Sequence, residues 1–153
     1  MPKRLLYAEP LRRRMRVRFG GTWIADSEHV LLLFEPSRYP VAYFPETDIS
    51  PNTLQRTEYT TRHHDLGLTA WYTVRAGDHS AVRGAWQHIE LPGYASEFQA
   101  RVAFAWPAMD AFYEEDERIA SLSERTAALY APIRWNVNVV SGFTISPFIS
   151  SNG

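Results

Sequence analysis

Cysteine is absent from the 153 residues, which excludes disulfides, cysteine nucleophiles, zinc ribbons and iron–sulfur centres. No apolar run approaches the length that crosses a bilayer, and the N-terminus carries positive charge with no apolar segment behind it. A soluble, cytoplasmic protein with no membrane partner is the expectation. Glycine-rich phosphate loops are missing, because Gly20-Gly21 reads as a hairpin turn with no helix after it. A G-x-S-x-G nucleophile elbow is lacking too. These absences remove the single-motif routes to a reaction.

What is present points to a packed globule. Apolar residues make up 45% of the chain and aromatics 14%, enough for one domain with a proper core rather than a disordered segment. The formal net charge of −1 hides an asymmetry. Residues 1–18 hold seven basic side chains (Lys3, Arg4, Arg12, Arg13, Arg14, Arg16, Arg18) against Glu9 alone, and the rest of the chain nets −7. One reading is a phosphate or nucleic-acid contact. The other is a solvated arm, or one docked on the acidic body. Alternation of Arg16 and Arg18 with Met15, Val17 and Phe19 favours the second, as does the separation of the basic arm from most aromatics. Nucleic acid is therefore not an expected partner.

Short apolar runs between turn residues dominate the organisation. Met15–Phe19, His29–Phe34 and Val41–Phe44 read as strands separated by Gly20-Gly21, Asp26-Ser27 and the 36–40 segment. Thr57–Thr61, Leu68–Val74, Gly84–Glu90 and Gln99–Trp106 add further strands, with Ala76-Gly77-Asp78 as a turn. In Gln99–Trp106, Val102, Phe104 and Trp106 share one side while Ala103 and Ala105 share the other. Helix is scarce: Pro107–Tyr113 starts with proline in a first-turn position, and Ser123–Tyr130 has Ser123 as an N-cap. Ile133–Val140 alternates as a terminal strand. The predicted fold is mostly β, a single domain whose antiparallel curled sheet forms a sandwich or barrel-like body with one or two short helices. Its boundaries are a basic arm over 1–13, the β domain over 14–140 and a tail over 141–153.

Arg62-His63-His64-Asp65 is the densest titratable cluster, read as a loop ahead of the Trp71 strand. A neutral histidine can act as a base near neutral pH with a carboxylate orienting it, so His63 or His64 is the candidate acid or base and Asp65 its orienting group. In extended backbone only one of the two histidines can face a given pocket, and His63 would share its face with Asp65. A metal site from His63, His64, His79 and His88 matches no compact ligand spacing, so no metal and no cofactor are expected. The acidic run Glu114–Glu117 reads first as a solvated face. Tyr43, Trp71, Tyr72, Trp86 and Trp106 are candidates to line an apolar ligand pocket, against the plainer reading that strand aromatics are core.

Several segments together resemble the DUF427 family of small, mainly bacterial domains. They are Val17–Ser27, Leu31–Pro36, Tyr43–Ile49, Gly77-Asp78 with Ala85-Trp86, and Val102–Trp106 leading into Met109–Glu117. The resemblance covers Arg14 to Glu117 and implies a compact, mostly antiparallel β domain. It implies no activity, since the family has no established general one. Many single-domain relatives carry a Cys-Pro-x-Lys-Gly-like turn where this chain has Arg62-His63-His64-Asp65-Leu66-Gly67. In that respect the chain resembles the N-terminal copy of the longer two-copy members, with the second copy missing.

The leading expectation is a protein that handles a small organic molecule in an aromatic-lined pocket. If it is an enzyme, the expected chemistry is metal-free acid–base work of the isomerase, cyclase or lyase type. The rival is a non-catalytic ligand-binding module, or one that forms homo-oligomers through its apolar tail, Phe143–Ile149. Nucleic-acid binding through the Arg12–Arg18 arm is the weakest alternative.

Overall fold

A computed structural model describes residues 7–36 and 39–120. Eleven strands are assigned there: β1 (Tyr7–Pro10), β2 (Met15–Phe19), β3 (Thr22–Ser27), β4 (Leu31–Phe34), β5 (Val41–Pro45), β6 (Leu54–His63), β7 (Gly67–Ala76), β8 (His79–His88), β9 (Arg101–Phe104), β10 (Ala111–Glu114) and β11 (Glu117–Ile119). Among the described residues three short 3₁₀ segments, Glu46–Asp48, Gly93–Phe98 and Trp106–Ala108, supply the helical content. The fold is mostly β and antiparallel, as the strand pattern predicts. The tail, the Ser123–Tyr130 helix and the Ile133–Val140 strand lie outside the described residues.

Two sheets form. One runs β1-β4-β5-β9-β8-β7-β6 and the other β11-β10-β2-β3. Neither closes into a barrel, so of the two predicted shapes the sandwich describes the protein. Its main core lies between the sheets. Met15, Val17, Phe19, Ile24 and Phe112 from the smaller sheet meet Leu32, Phe44, Val74, Val102 and Phe104 from the larger one. Phe44 and Phe104 contact edge to face, with centroids 5.6 Å apart.

Turn chemistry follows the sequence closely. Gly20 and Gly21 both have positive φ, 60° and 77°, which a two-residue hairpin between β2 and β3 requires. Gly67 (φ 81°) opens β7, and a Cβ there would run into the carbonyl oxygen of Glu90. Both its backbone angle and its neighbour therefore demand glycine.

Three features depart from expectation. Asp26-Ser27, read as a turn, instead ends the strand Thr22–Ser27, whose period-two pattern is broken where the pairing register shifts opposite Val17 and Arg18. Pro107–Tyr113 does not form a helix. Pro107 sits in a single 3₁₀ turn, after which Ala111–Glu114 pairs with β2 and buries Phe112, so sheet pairing overrides local helix propensity. Tyr7–Pro10, part of the predicted arm, pairs with β4 at the sheet edge, where proline is tolerated.

Phe44 is 0% exposed at the centre of the main core. Phe44→Ala is expected to lower stability by about 3–5 kcal/mol. The 75%-exposed Val82 truncated to Ala should stay within about 0.5 kcal/mol. Urea denaturation of both variants checks the contrast.

Candidate functional site

The larger sheet is apolar on its outer face as well. There Leu31, Leu33, Tyr43, Leu66 and Ala103 pack with Ala95 and Phe98 from the 91–98 segment. Pairing aligns one row across the strands: Leu31 opposite Tyr43, Tyr43 opposite Ala103, Ala103 opposite Trp86, and Trp86 opposite Trp71. The next row holds His88 opposite Thr69, with Thr61 beyond it. Because side chains alternate along a strand, this face collects Trp86 with His88, Thr69 with Trp71, and Thr61 with His63.

His63 is the last residue of β6, not a loop residue. Its Nδ1 accepts the backbone N–H groups of Asp65 (3.0 Å) and Leu66 (3.1 Å). The ring hydrogen therefore sits on Nε2, which donates to Glu35 Oε2 at 2.8 Å. Both ring nitrogens are engaged, which alters the expected division of labour. Asp65 orients His63 through its backbone amide, while its carboxylate lies 3.5 Å from Nε2 of His64. His63 in turn orients Glu35. That carboxylate and the His63 ring are partly open to solvent, at 16% and 21% side-chain exposure. His64 stacks on His63 at 5.3 Å and is otherwise exposed.

Behind this pair lies a buried polar chain. The His88 ring stands edge-on to His63 at 5.9 Å, its Nε2 2.8 Å from the Tyr43 hydroxyl and its Nδ1 2.8 Å from Thr69 Oγ1. Trp86 Nε1 donates to the Tyr43 hydroxyl at 3.3 Å. One proton arrangement uses every group: Tyr43 donates to His88 Nε2, and the Nδ1–H of His88 donates to Thr69. Burial holds the Tyr43 hydroxyl well above its ordinary range, so it stays protonated. Burial, with His63 adding to it, lowers His88 to about 4. Both groups are neutral at pH 7.

The candidate aromatics divide between the two faces. Tyr43, Trp71 and Trp86 belong to the outer face, where Trp71 and Trp86 contact at 5.2 Å and Trp71 Nε1 donates to Thr61 Oγ1 at 2.8 Å. Tyr72 and Trp106 pack instead against the core between the sheets. Tyr72 donates to Gln87 Oε1 at 2.8 Å, and Trp106 stacks on Phe112 at 3.8 Å. The strand period sends Tyr72 of β7 inward, and Trp106, in the 3₁₀ turn after β9, stacks on Phe112 on the same side. His79 lies against Phe19, apart from the other imidazoles. Among the described residues no group of three or more His, Asp or Glu side chains could hold a metal ion.

The acidic run is the β10–β11 hairpin. Glu114 is buried 3.5 Å from Arg13, Glu115 accepts the amide of Arg14 at 3.0 Å, and Asp116 lies 3.5 Å from Arg16. This agrees with a basic arm docked on the acidic body. Glu35 and Thr69 escaped the sequence reading as site residues, and His88 entered it only as a metal candidate. The available signal was parity: Glu35 follows Leu31 and Leu33 on one face, and His88 follows Trp86.

The family model described as a domain of unknown function (DUF427) matches residues 7–115, a span that includes every residue of this site. The chain belongs to that family. No curated protein matches it.

A histidine held neutral by burial makes stability depend on pH. Between the ordinary value of 6.5 and about 4, the unfolded chain binds a proton that folded His88 does not. Its contribution is complete above pH 6.5 and is lost as pH falls through that window, by at most about 3 kcal/mol. His88→Gln should flatten this part of the profile. Urea midpoints near pH 7.5 and pH 4.5 check it, and equal slopes for both proteins would count against a neutral His88.

Proposed function

We propose that the outer face of the seven-stranded sheet handles a small organic molecule by metal-free acid–base chemistry, with Glu35 as the group that gives or takes the proton. The reading rests on the Glu35–His63 contact at 2.8 Å, between side chains that solvent still reaches. One carboxylate oxygen is held by His63, while Oε1 has no hydrogen-bond partner among the described residues. A carboxylate oriented in this way can shuttle a proton to a substrate atom beside it. His63 acts as its positioning residue, since neither ring nitrogen is available for a substrate.

Trp86 and Trp71 give a planar or apolar ligand a wall to lie against, and the neutral Tyr43–His88–Thr69 chain keeps that wall rigid. Isomerisation, cyclisation and hydration or its reverse all need one positioned acid–base group and an apolar enclosure. Those reaction types are the ones the residues suit. Partners beyond such a ligand are not required by this reading.

The test is a thermal-shift and tryptophan-fluorescence screen of small carbonyl and carboxylic compounds, followed by turnover assays on each hit. Glu35→Gln is expected to bind a true hit within a few-fold of the wild type and to lose about 10²–10⁴ in rate. Trp86→Ala should weaken binding, and His64→Ala should change neither quantity. Hits that bind and react equally well in Glu35→Gln and Trp86→Ala would sink the proposal.

A further inference from the structure

Arginines gather around one cavity at the other end of β4 from Glu35. A cleft of about 650 Å³ opens where the β1–β2 and β3–β4 connections, the start of β9 and the β10–β11 turn meet. Its charged walls are Arg12, Arg13, Arg14 and Arg101 against Glu28 and Glu115. Among the described residues, the arginines supply guanidinium charge and no lysine lines the cleft.

Most of these groups have partners. Arg14 forks onto Asp26 through Nε (2.8 Å) and Nη2 (2.6 Å). Arg13 lies 3.5 Å from the buried Glu114 carboxylate, and Glu115 accepts the backbone N–H of Arg14 at 3.0 Å. Arg12 and Arg101 differ: among the described residues, neither has a carboxylate within ion-pair distance. Arg101 is partly buried, and among the described residues it is bonded to backbone carbonyls. Its Nε donates to Glu97 at 3.0 Å, and its Nη1 to His29 at 2.7 Å and to Tyr43 at 3.4 Å. Burial pulls its pKa down, with Glu97 and Asp48 opposing that from beyond ion-pair distance. A partly desolvated cation whose hydrogen bonds go to neutral carbonyls retains charge that an anion can complete.

We infer that this cleft binds a small phosphorylated molecule, whose phosphoryl or pyrophosphoryl group completes the charge of Arg12 and Arg101. The guanidinium fork matches phosphate oxygens in a way a point charge does not. The cavity lies within the range of small-ligand sites, about 300–1,000 Å³. Glu28 and Glu115 in the walls oppose an extended run of negative charge, which favours a compact anion over a nucleic-acid backbone. Arg101 also ties the β3–β4 connection to β5 through the His29 and Tyr43 carbonyls, so a bound anion braces the strand that carries Tyr43.

The probe is pyrophosphate, titrated calorimetrically into the full chain at about 0.15 M salt, where exposed charges are screened beyond about 8 Å. Saturable one-to-one binding is expected, weakened about ten-fold or more in Arg12→Ala and in Arg101→Gln. Arg101→Gln gives up three carbonyl contacts and can lose stability. Arg12→Ala, at an exposed position with no ion partner among the described residues, keeps the proposal testable, its melting temperature serving as the control for folding. Arg56→Ala, exposed on β6 away from the cleft, should bind as the wild type does. Three results would overturn the inference: no saturable heat, an equal loss in Arg56→Ala, or wild-type affinity in Arg12→Ala. Displacement of pyrophosphate by a short DNA duplex that binds more tightly would overturn it in favour of a nucleic-acid surface.

Discussion

Two-sided burial of the seven-stranded sheet is the constraint on which the rest depends. A sheet with one wet face alternates apolar and polar residues along each strand. Here Leu31, Leu32 and Leu33 are all buried, as are Ala42, Tyr43 and Phe44, and Val102, Ala103 and Phe104. One set fills the space between the sheets, and the other fills the outer face beneath the 91–98 segment. A one-residue slip in β5 would exchange Phe44 for Tyr43 and put a hydroxyl into the main core. Register is thus strongly specified, and the outer face becomes a dry platform on which polar groups must find partners.

That platform explains why its polar residues occur as a connected set. Tyr43, Thr69 and His88 are buried, and each is satisfied by another member of the chain, with Trp86 donating at one end. A buried polar network that is complete adds rigidity, while one missing member leaves its neighbours unpaired at a cost. The same network brings His63 beside His88 and leaves Glu35 at the boundary with solvent. Charge is handled differently on the smaller sheet. There Arg16 lies over Trp23 at 4.3 Å and faces Tyr113 at 5.6 Å, while its Nε is buried without a hydrogen-bond partner. Aromatic faces take the place of that bond.

The docking of basic on acidic segments resolves the charge asymmetry of the chain. Arg13, Arg14 and Arg16 reach Glu114, the Glu115 turn and Asp116, with Arg14 also forked on Asp26. Glu114 is fully buried, and a carboxylate there is tolerable only beside a cation. Residues distant in sequence are thereby fastened across β2, β10 and β11, the pairing that converts the Pro107–Tyr113 segment from a helix former into a strand.

Much of the fold was legible from local chemistry. Gly20-Gly21 and Gly77-Asp78 mark the hairpins, the 101–104 alternation assigns Val102 and Phe104 to one face, and the absence of long helical periodicity leaves a β domain as the only architecture. Parity alone could associate Trp86 with His88. What the sequence could not contain is which strands lie side by side. The order β4-β5-β9-β8-β7-β6 brings Glu35, Tyr43, His88 and His63 together from positions up to 53 residues apart. Strand order depends on non-local pairing among faces that look alike in one dimension. The residue types, turns and alternation were therefore determined by the sequence itself, while the partnership of Glu35 with His63 and of Tyr43 with His88 was decided only by the tertiary packing of the sheet.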